Sequence, residues 1–264
     1  MINIQKYVRA QSLEEAYTLN QKKKNRILAG MLWTRMESGN VPVAIDLCDL
    51  GLDKIEENEE EFSIGAMVTL RQLQMHESFE NYCDGIVAKA VKDIIGVQFR
   101  NLATVGGSIW GRFGFSDVLT AFMALDTYVE LYKGGVIPLE QFARMQYDRD
   151  LLVRVIVKKK PGVFSYQAMR AQKTDFPILT CGVSRMDGVC KAVIGARPGK
   201  AVCIHDDRHL LDGEVTEKKA EAFAEYVAEQ VTTGSNMRGS AEYRTHLVKI
   251  LTGRGVMELG GVRA

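Results

Sequence analysis

Gln98-Phe99-Arg100-Asn101-Leu102-Ala103-Thr104-Val105-Gly106-Gly107-Ser108-Ile109 is the stretch on which the reading of this chain turns. Small and apolar residues run into a glycine pair, and a hydroxyl follows at once. Glycine lets a backbone take unusual dihedrals and come close to a ligand. Converging backbone N–H groups can then hold a pyrophosphate without a cluster of cations. Asp117 follows downstream, at the start of an apolar helix expected over 117–125. It reads either as the cap of that helix or as the acceptor for a ribose hydroxyl. The glycine pair is open too, since Gly-Gly after a strand also makes turns and bulges.

A second loop of the same kind lies upstream. Ile27-Leu28-Ala29-Gly30-Met31-Leu32-Trp33-Thr34 leaves a buried strand, expected over 26–29, at Gly30. Trp33 either stacks on a bound ring or fills the gap beneath the loop. Neither loop spells Gly-x-Gly-x-x-Gly, so the dinucleotide fold of that motif is not supported.

Outward from these loops the periodicity predicts strand, helix, strand at the start. Ile4 and Tyr7 mark a short edge element. Ser12 caps a helix, with Glu15 completing a capping-box pattern. A second buried strand covers 42–47, and Cys48 is placed with it as a buried thiol. The acidic run 56–61 reads as a solvated turn, followed by a strand over 62–66. Thr69 caps a short helix, and a longer helix is expected over 85–95. Strands are expected over 128–132 and 152–157. Beyond Pro161 the pattern changes to antiparallel-type strands over 164–169, 178–184 and 189–194, then helices over 217–232 and 241–251. The boundary falls near Pro161, and the class is α+β.

The totals narrow the function classes. The chain has 264 residues, 46% hydrophobic and 25% charged, with a net charge of +1. That balance gives no electrostatic case for nucleic acid or an anionic membrane. No apolar run approaches the roughly 20 residues needed for membrane insertion, and no apolar signal core opens the chain, so a cytoplasmic location is expected. Five cysteines, with no Cys-x-x-Cys pair, speak against a zinc site or an iron–sulfur cluster. His205-Asp206-Asp207-Arg208-His209 reads as an exposed loop rather than a metal site. No Ser/His/Asp or Cys/His arrangement emerges, so neither a catalytic side chain nor a metal ligand is assigned.

Taken in order along the chain, four segments resemble the FAD-binding (medium) subunits of the xanthine dehydrogenase and carbon monoxide dehydrogenase family of molybdenum hydroxylases. They are Ile27 to Gly30, Ile64 to Leu70, Arg100 to Ile109 with Ser116-Asp117, and Ser240 to Leu247. The resemblance implies a two-lobed FAD-binding domain of the vanillyl-alcohol-oxidase/PCMH type over 1–160, with subdomains of about 1–55 and 56–160. A smaller α+β C-terminal domain follows over 161–264.

The resemblance also implies roles. Ile27, Leu28, Ala29, Gly30, Met31, Leu32, Trp33 and Thr34, with Thr104, Val105, Gly106, Gly107 and Ser108, would contact the FAD pyrophosphate. Asp117 would hold the ribose side, and Leu152 would pack near the isoalloxazine. Arg170 and Asp175 match a recurrent segment without an assigned role. The implied partners are a molybdopterin-binding large subunit and a [2Fe–2S] small subunit, with NAD as a possible electron acceptor. The first loop departs from the family pattern Gly-Gly-Thr-Asp-Leu, because Met31 replaces the second glycine. Two other readings follow from that departure or from the chain alone: an assembly subunit with weakened flavin binding, or a stand-alone flavin oxidoreductase.

Overall fold

A computed structural model describes residues 1–261 and divides them among three sheets. The first lobe holds strands β1 (Ile2–Arg9), β2 (Arg26–Leu28) and β3 (Gly39–Asp46), all parallel in the order β1-β3-β2. Helix α1 (Leu13–Asn20) crosses between β1 and β2. Ser12 caps it by accepting from the Glu15 amide at 3.1 Å, while the Glu15 carboxylate reaches back to the amide of Gln11 rather than Ser12.

The second lobe is a five-stranded antiparallel sheet in the order β4-β5-β8-β6-β7. Its strands are β4 (Ile55–Glu57), β5 (Glu61–Gly65), β6 (Thr127–Leu131), β7 (Gly135–Pro138) and β8 (Leu152–Lys158). The acidic run is therefore a hairpin: Ile55–Glu57 pairs with β5, and only 58–60 turn. Between β5 and β6 lie α2 (Leu70–Gln74), α3 (Glu77–Tyr82), α4 (Ile86–Val91), α5 (Val97–Arg100), α6 (Val105–Trp110) and α7 (Asp117–Ala124). Helix α8 (Leu139–Arg144) links β7 to β8. Thr69 forms the full reciprocal capping box with Gln72. The helix expected over 85–95 stops at Val91 and passes into a turn closed by the Ile94 amide donating to the Val91 carbonyl, and Ile95, with a positive φ of 50°, lies outside any helix.

The last domain is a four-stranded antiparallel sheet, β9 (Gly162–Met169), β10 (Leu179–Met186), β11 (Val189–Gly195) and β12 (Val202–His205), in the order β12-β11-β10-β9. Helices α9 (Glu217–Gln230) and α10 (Ala241–Leu259) cover one face. Val183 and Ile194 point into that core, whereas Phe164, Tyr166 and Val193 join the core of the second lobe. Both faces of this sheet are buried, which is why β10 and β11 read as nearly unbroken apolar runs. Helix α7, buried along its whole length, lies against the second face. A Cβ on Gly182 would stand 3.0 Å from Ala124, and one on Gly195 2.3 Å from the Thr120 hydroxyl, so glycines set this close approach.

Helix α10 runs eight residues past its expected end at 251. Gly255 does not break it, because its missing side chain seats the helix against Val183, where a Cβ would come within 2.7 Å. Arg244, fully buried on α10, donates to the carbonyls of Ile178, Gly234 and Gly239 and to the side chain of Asn236. It thereby fixes the irregular segment before its own helix. Cys48 differs from expectation. It is exposed in a short turn after β3, while Cys83, Cys181, Cys190 and Cys203 are buried, and all five are free thiols. Among the described residues no helix is long and apolar enough to cross a membrane.

Candidate functional site

Ile27 and Leu28 end β2, with Ile27 against the first-lobe core and Leu28 buried. Ala29 and Gly30 then leave the sheet. A Cβ on Gly30 would lie 1.9 Å from the Leu102 carbonyl oxygen. The two loops quoted from the sequence therefore touch, backbone to backbone, at the seam between the lobes, and only glycine permits it.

Met31 takes φ 55°, the left-handed region in which glycine is the usual occupant. An ordinary residue there costs about 1–2 kcal/mol. Its side chain offsets this by packing with Leu28, Val41 and Ala44. Leu32 is buried in the second-lobe core, the same core that holds Ala103. Trp33 sits near Phe113, Phe115 and Phe176, with ring centroids 6.0 to 6.3 Å apart, yet stays 47% exposed. Thr34 opens a short turn closed by the Glu37 amide donating to the Thr34 carbonyl, and the Arg35 amide donates back to the Met31 carbonyl. Each bulky residue of the atypical loop thus has an anchor of its own, and the loop is held by side chains.

The fate of the backbone donors separates the loops. Among the described residues, the amides of 29–34 donate to no protein acceptor. Those of the second loop are mostly engaged. Thr104 is the N-cap of α6, so 105–108 form its first turn rather than an open loop. The Val105 amide donates to the Val68 carbonyl at 2.8 Å, Gly106 to Ala66 at 2.9 Å and Ser108 to Thr104 at 3.1 Å. The Gly107 amide donates only to the Thr104 hydroxyl, at 3.1 Å. The Ser108 hydroxyl also donates to the Thr104 carbonyl. The two glycines have different tasks. A Cβ on Gly106 would meet Ala66 at 2.5 Å, whereas one on Gly107 meets only the Thr104 hydroxyl, at 3.1 Å, and otherwise faces outward.

Asp117 is the first residue of α7, and the cap is Ser116, whose hydroxyl accepts from the Leu119 amide. The Asp117 carboxylate accepts from Tyr166 of β9 and from the guanidinium of Arg170, just past the end of that strand. The Asp117 and Arg170 side chains are only 5% and 9% exposed. Burial pushes the Asp117 carboxyl up to about 6 against the pull of Arg170, and it pushes the Tyr166 phenol well above its ordinary range. The structure thus gives Arg170 a partner that spacing alone did not reveal. Leu152 opens β8, buried in the same core as Val105 and Ile109 of α6.

Sequence reasoning passed over Phe113-Gly114-Phe115, the link between α6 and α7. Phe113 and Phe115 stack at 5.2 Å, Phe176 meets Phe115 edge-on, and Arg238 lies 5.0 Å over the Phe176 ring. Phe115, Phe176 and Arg238, with Trp33, Gly114 and Gly199, line an open cavity of about 460 Å³, and Phe113 backs Phe115 from outside that lining. The signal was available as aromatic residues flanking a glycine just after the glycine-rich turn.

Two family models match this chain. "FAD binding domain in molybdopterin dehydrogenase" covers residues 2–159, and "CO dehydrogenase flavoprotein C-terminal domain" covers 164–259. The nicotine 6-hydroxylase medium subunit of Paenarthrobacter nicotinovorans is 25% identical, with 97% of each chain covered. The xanthine dehydrogenase FAD-binding subunit of Escherichia coli O157:H7 is 26% identical over 74% of this chain and 73% of its own. Among solved structures, a chain of carbon monoxide dehydrogenase from Hydrogenophaga pseudoflava superposes with a TM-score of 0.85 at 20% identity, over 99% of both chains. With one fold shared end to end and both family models satisfied in order, the chain belongs to the FAD-binding flavoprotein subunits of the molybdopterin dehydrogenases, the oxidoreductase family of the xanthine and carbon monoxide dehydrogenases.

Proposed function

We propose that this chain grips FAD by its pyrophosphate between the first loop and the start of α6, and passes electrons through it within a molybdenum hydroxylase complex. The observation that carries this reading is the run of amides over 29–34 without a protein acceptor, set against the backbone of Leu102. Unpaired backbone donors in a tight turn next to a helix start are suited to an anion. The Gly107 amide adds a donor whose present partner, a hydroxyl, a phosphate oxygen can share. Gly107 leaves the space.

A bound flavin would supply hydride and single-electron transfer. The chain binds and orients it. Leu152 would pack near the isoalloxazine, and the aromatic walls around Trp33 would receive one of the planar ring systems. Asp117 would act on the ribose side through the position of α7, since its carboxylate is committed to Tyr166 and Arg170.

Gly107→Val should leave melting within about 1 kcal/mol of wild type, since an exposed first-turn valine costs little. FAD affinity should fall on the order of tenfold or more, as about 1.4 kcal/mol of lost contact implies. A variant that keeps its flavin removes the second loop from the pyrophosphate site.

The full reaction needs partners. A molybdopterin-binding large subunit would oxidise substrate, a [2Fe–2S] small subunit would deliver the electrons, and NAD would accept them, in the cytoplasm. Relatives named as medium or FAD-binding subunits support this division of labour. A tagged chain purified from its native host should bring down a cluster-bearing subunit and a molybdopterin subunit. Recovery of the chain alone, carrying flavin, would favour the stand-alone oxidoreductase.

A further inference from the structure

We propose that Glu140, Cys203 and His205 form a binding site for a zinc-class divalent metal ion, tying the second lobe to the edge strand of the C-terminal sheet. β12 is four residues long and lies at the sheet edge. Its period of two puts Cys203 and His205 on one face. Glu140, in the first turn of α8, meets that face.

The distances fit the metal. The Cys203 sulfur lies 3.5 Å from the His205 Nε2, and the same nitrogen lies 3.5 Å from the Glu140 Oε2. All three ligand atoms fall within 4.8 Å of one another. Tetrahedral zinc, with bonds of about 2.3 Å to sulfur and about 2.0–2.1 Å to nitrogen and oxygen, separates its ligands by about 3.3–3.6 Å. The two edges that meet at His205 already have that length, and the third closes by a side-chain adjustment on the order of 1 Å. One soft, one borderline and one hard donor suit zinc rather than calcium or magnesium, which take oxygen sets.

The surroundings complete the site. Arg144 pairs with the other Glu140 oxygen, Oε1, and so orients the carboxylate while leaving Oε2 toward His205. The His205 side chain is 44% exposed, which leaves a fourth corner for water. On binding, the Cys203 thiol proton leaves to solvent, and thiolate and carboxylate together balance a divalent charge. His205 closes β12 instead of lying in the loop expected over 205–209, and His209 takes no part in the site. It lies beside Asp212.

Cobalt(II) titrated into the chelator-treated full-length protein should give a thiolate-to-cobalt absorption in difference spectra. It should saturate at a single equivalent per chain and be displaced by zinc. Cys203→Ala should lose the absorption. Glu140→Gln and His205→Ala, at partly exposed positions that should fold normally, should weaken metal binding on the order of tenfold or more. Zinc should raise the melting temperature of wild type and leave that of His205→Ala unchanged. No thiolate-to-cobalt absorption in wild type would overturn the assignment. So would a His205→Ala variant that binds metal as tightly as wild type.

Discussion

Gly30→Ala should release FAD and lower the stability of the protein in the same step. The added methyl would sit 1.9 Å from the Leu102 carbonyl oxygen and 2.5 Å from its carbon, both backbone atoms. No rotamer relieves that contact, so one loop must move. Overpacking of this kind costs typically 1–3 kcal/mol, and a backbone partner places it at the upper end. Separating the loops also spreads the donors that would share one pyrophosphate. FAD affinity should fall on the order of a hundredfold, about 3 kcal/mol. Melting curves and flavin content read the two effects separately. A Gly30→Ala protein with wild-type flavin content would show that the loops need not touch to bind.

Asp117→Ala should destabilise the fold by about 3–5 kcal/mol, because it leaves the buried Arg170 charge without its carboxylate. The Tyr166 hydroxyl loses its acceptor as well. These three side chains bridge α7 to the C-terminal sheet, so the loss should appear as weaker docking of the two domains. Denaturant titration measures it. A loss below about 1 kcal/mol would mean that Arg170 finds another partner.

Much of the fold was legible because local chemistry and tertiary structure agree. Ser12 and Thr69 announce helices that both residues cap in the structure, though only Thr69 forms the full box, and apolar runs locate β3, β5, β8 and β10. The misreadings have physical causes. The acidic residues of β4 mask a strand whose pairing is supplied by β5 and not by its own side chains. Helix α10 passes through Gly253 and Gly255 because its packing, with Gly255 seated against Val183 of β10 and Gly253 facing Ala224 of α9, outweighs their low propensity, roughly 1 kcal/mol each. Exposed Cys48 was assigned to the strand interior because apolar neighbours precede it, but β3 ends at Asp46.

The candidate site was legible as two glycine-bearing segments and not as a geometry. Sequence alone made Thr104–Ser108 the stronger half. The proposed grip leans instead on 29–34, whose amides have no protein acceptor while those of 105–108 are bonded within the protein. Nor could spacing show that Met31, Leu32 and Trp33 each reach a different anchor, or that Asp117 is turned toward Arg170. Those pairings join residues far apart in sequence, as does the contact of Gly30 with Leu102.

The most direct test of the pyrophosphate grip is a calorimetric titration of flavin-free protein with FAD and, separately, with riboflavin, which shares the ring system but carries no phosphate. The donors over 29–34 predict a single FAD per chain, with riboflavin weaker on the order of a hundredfold, about 3 kcal/mol. Riboflavin binding as tightly as FAD, or no binding of FAD at all, would contradict it.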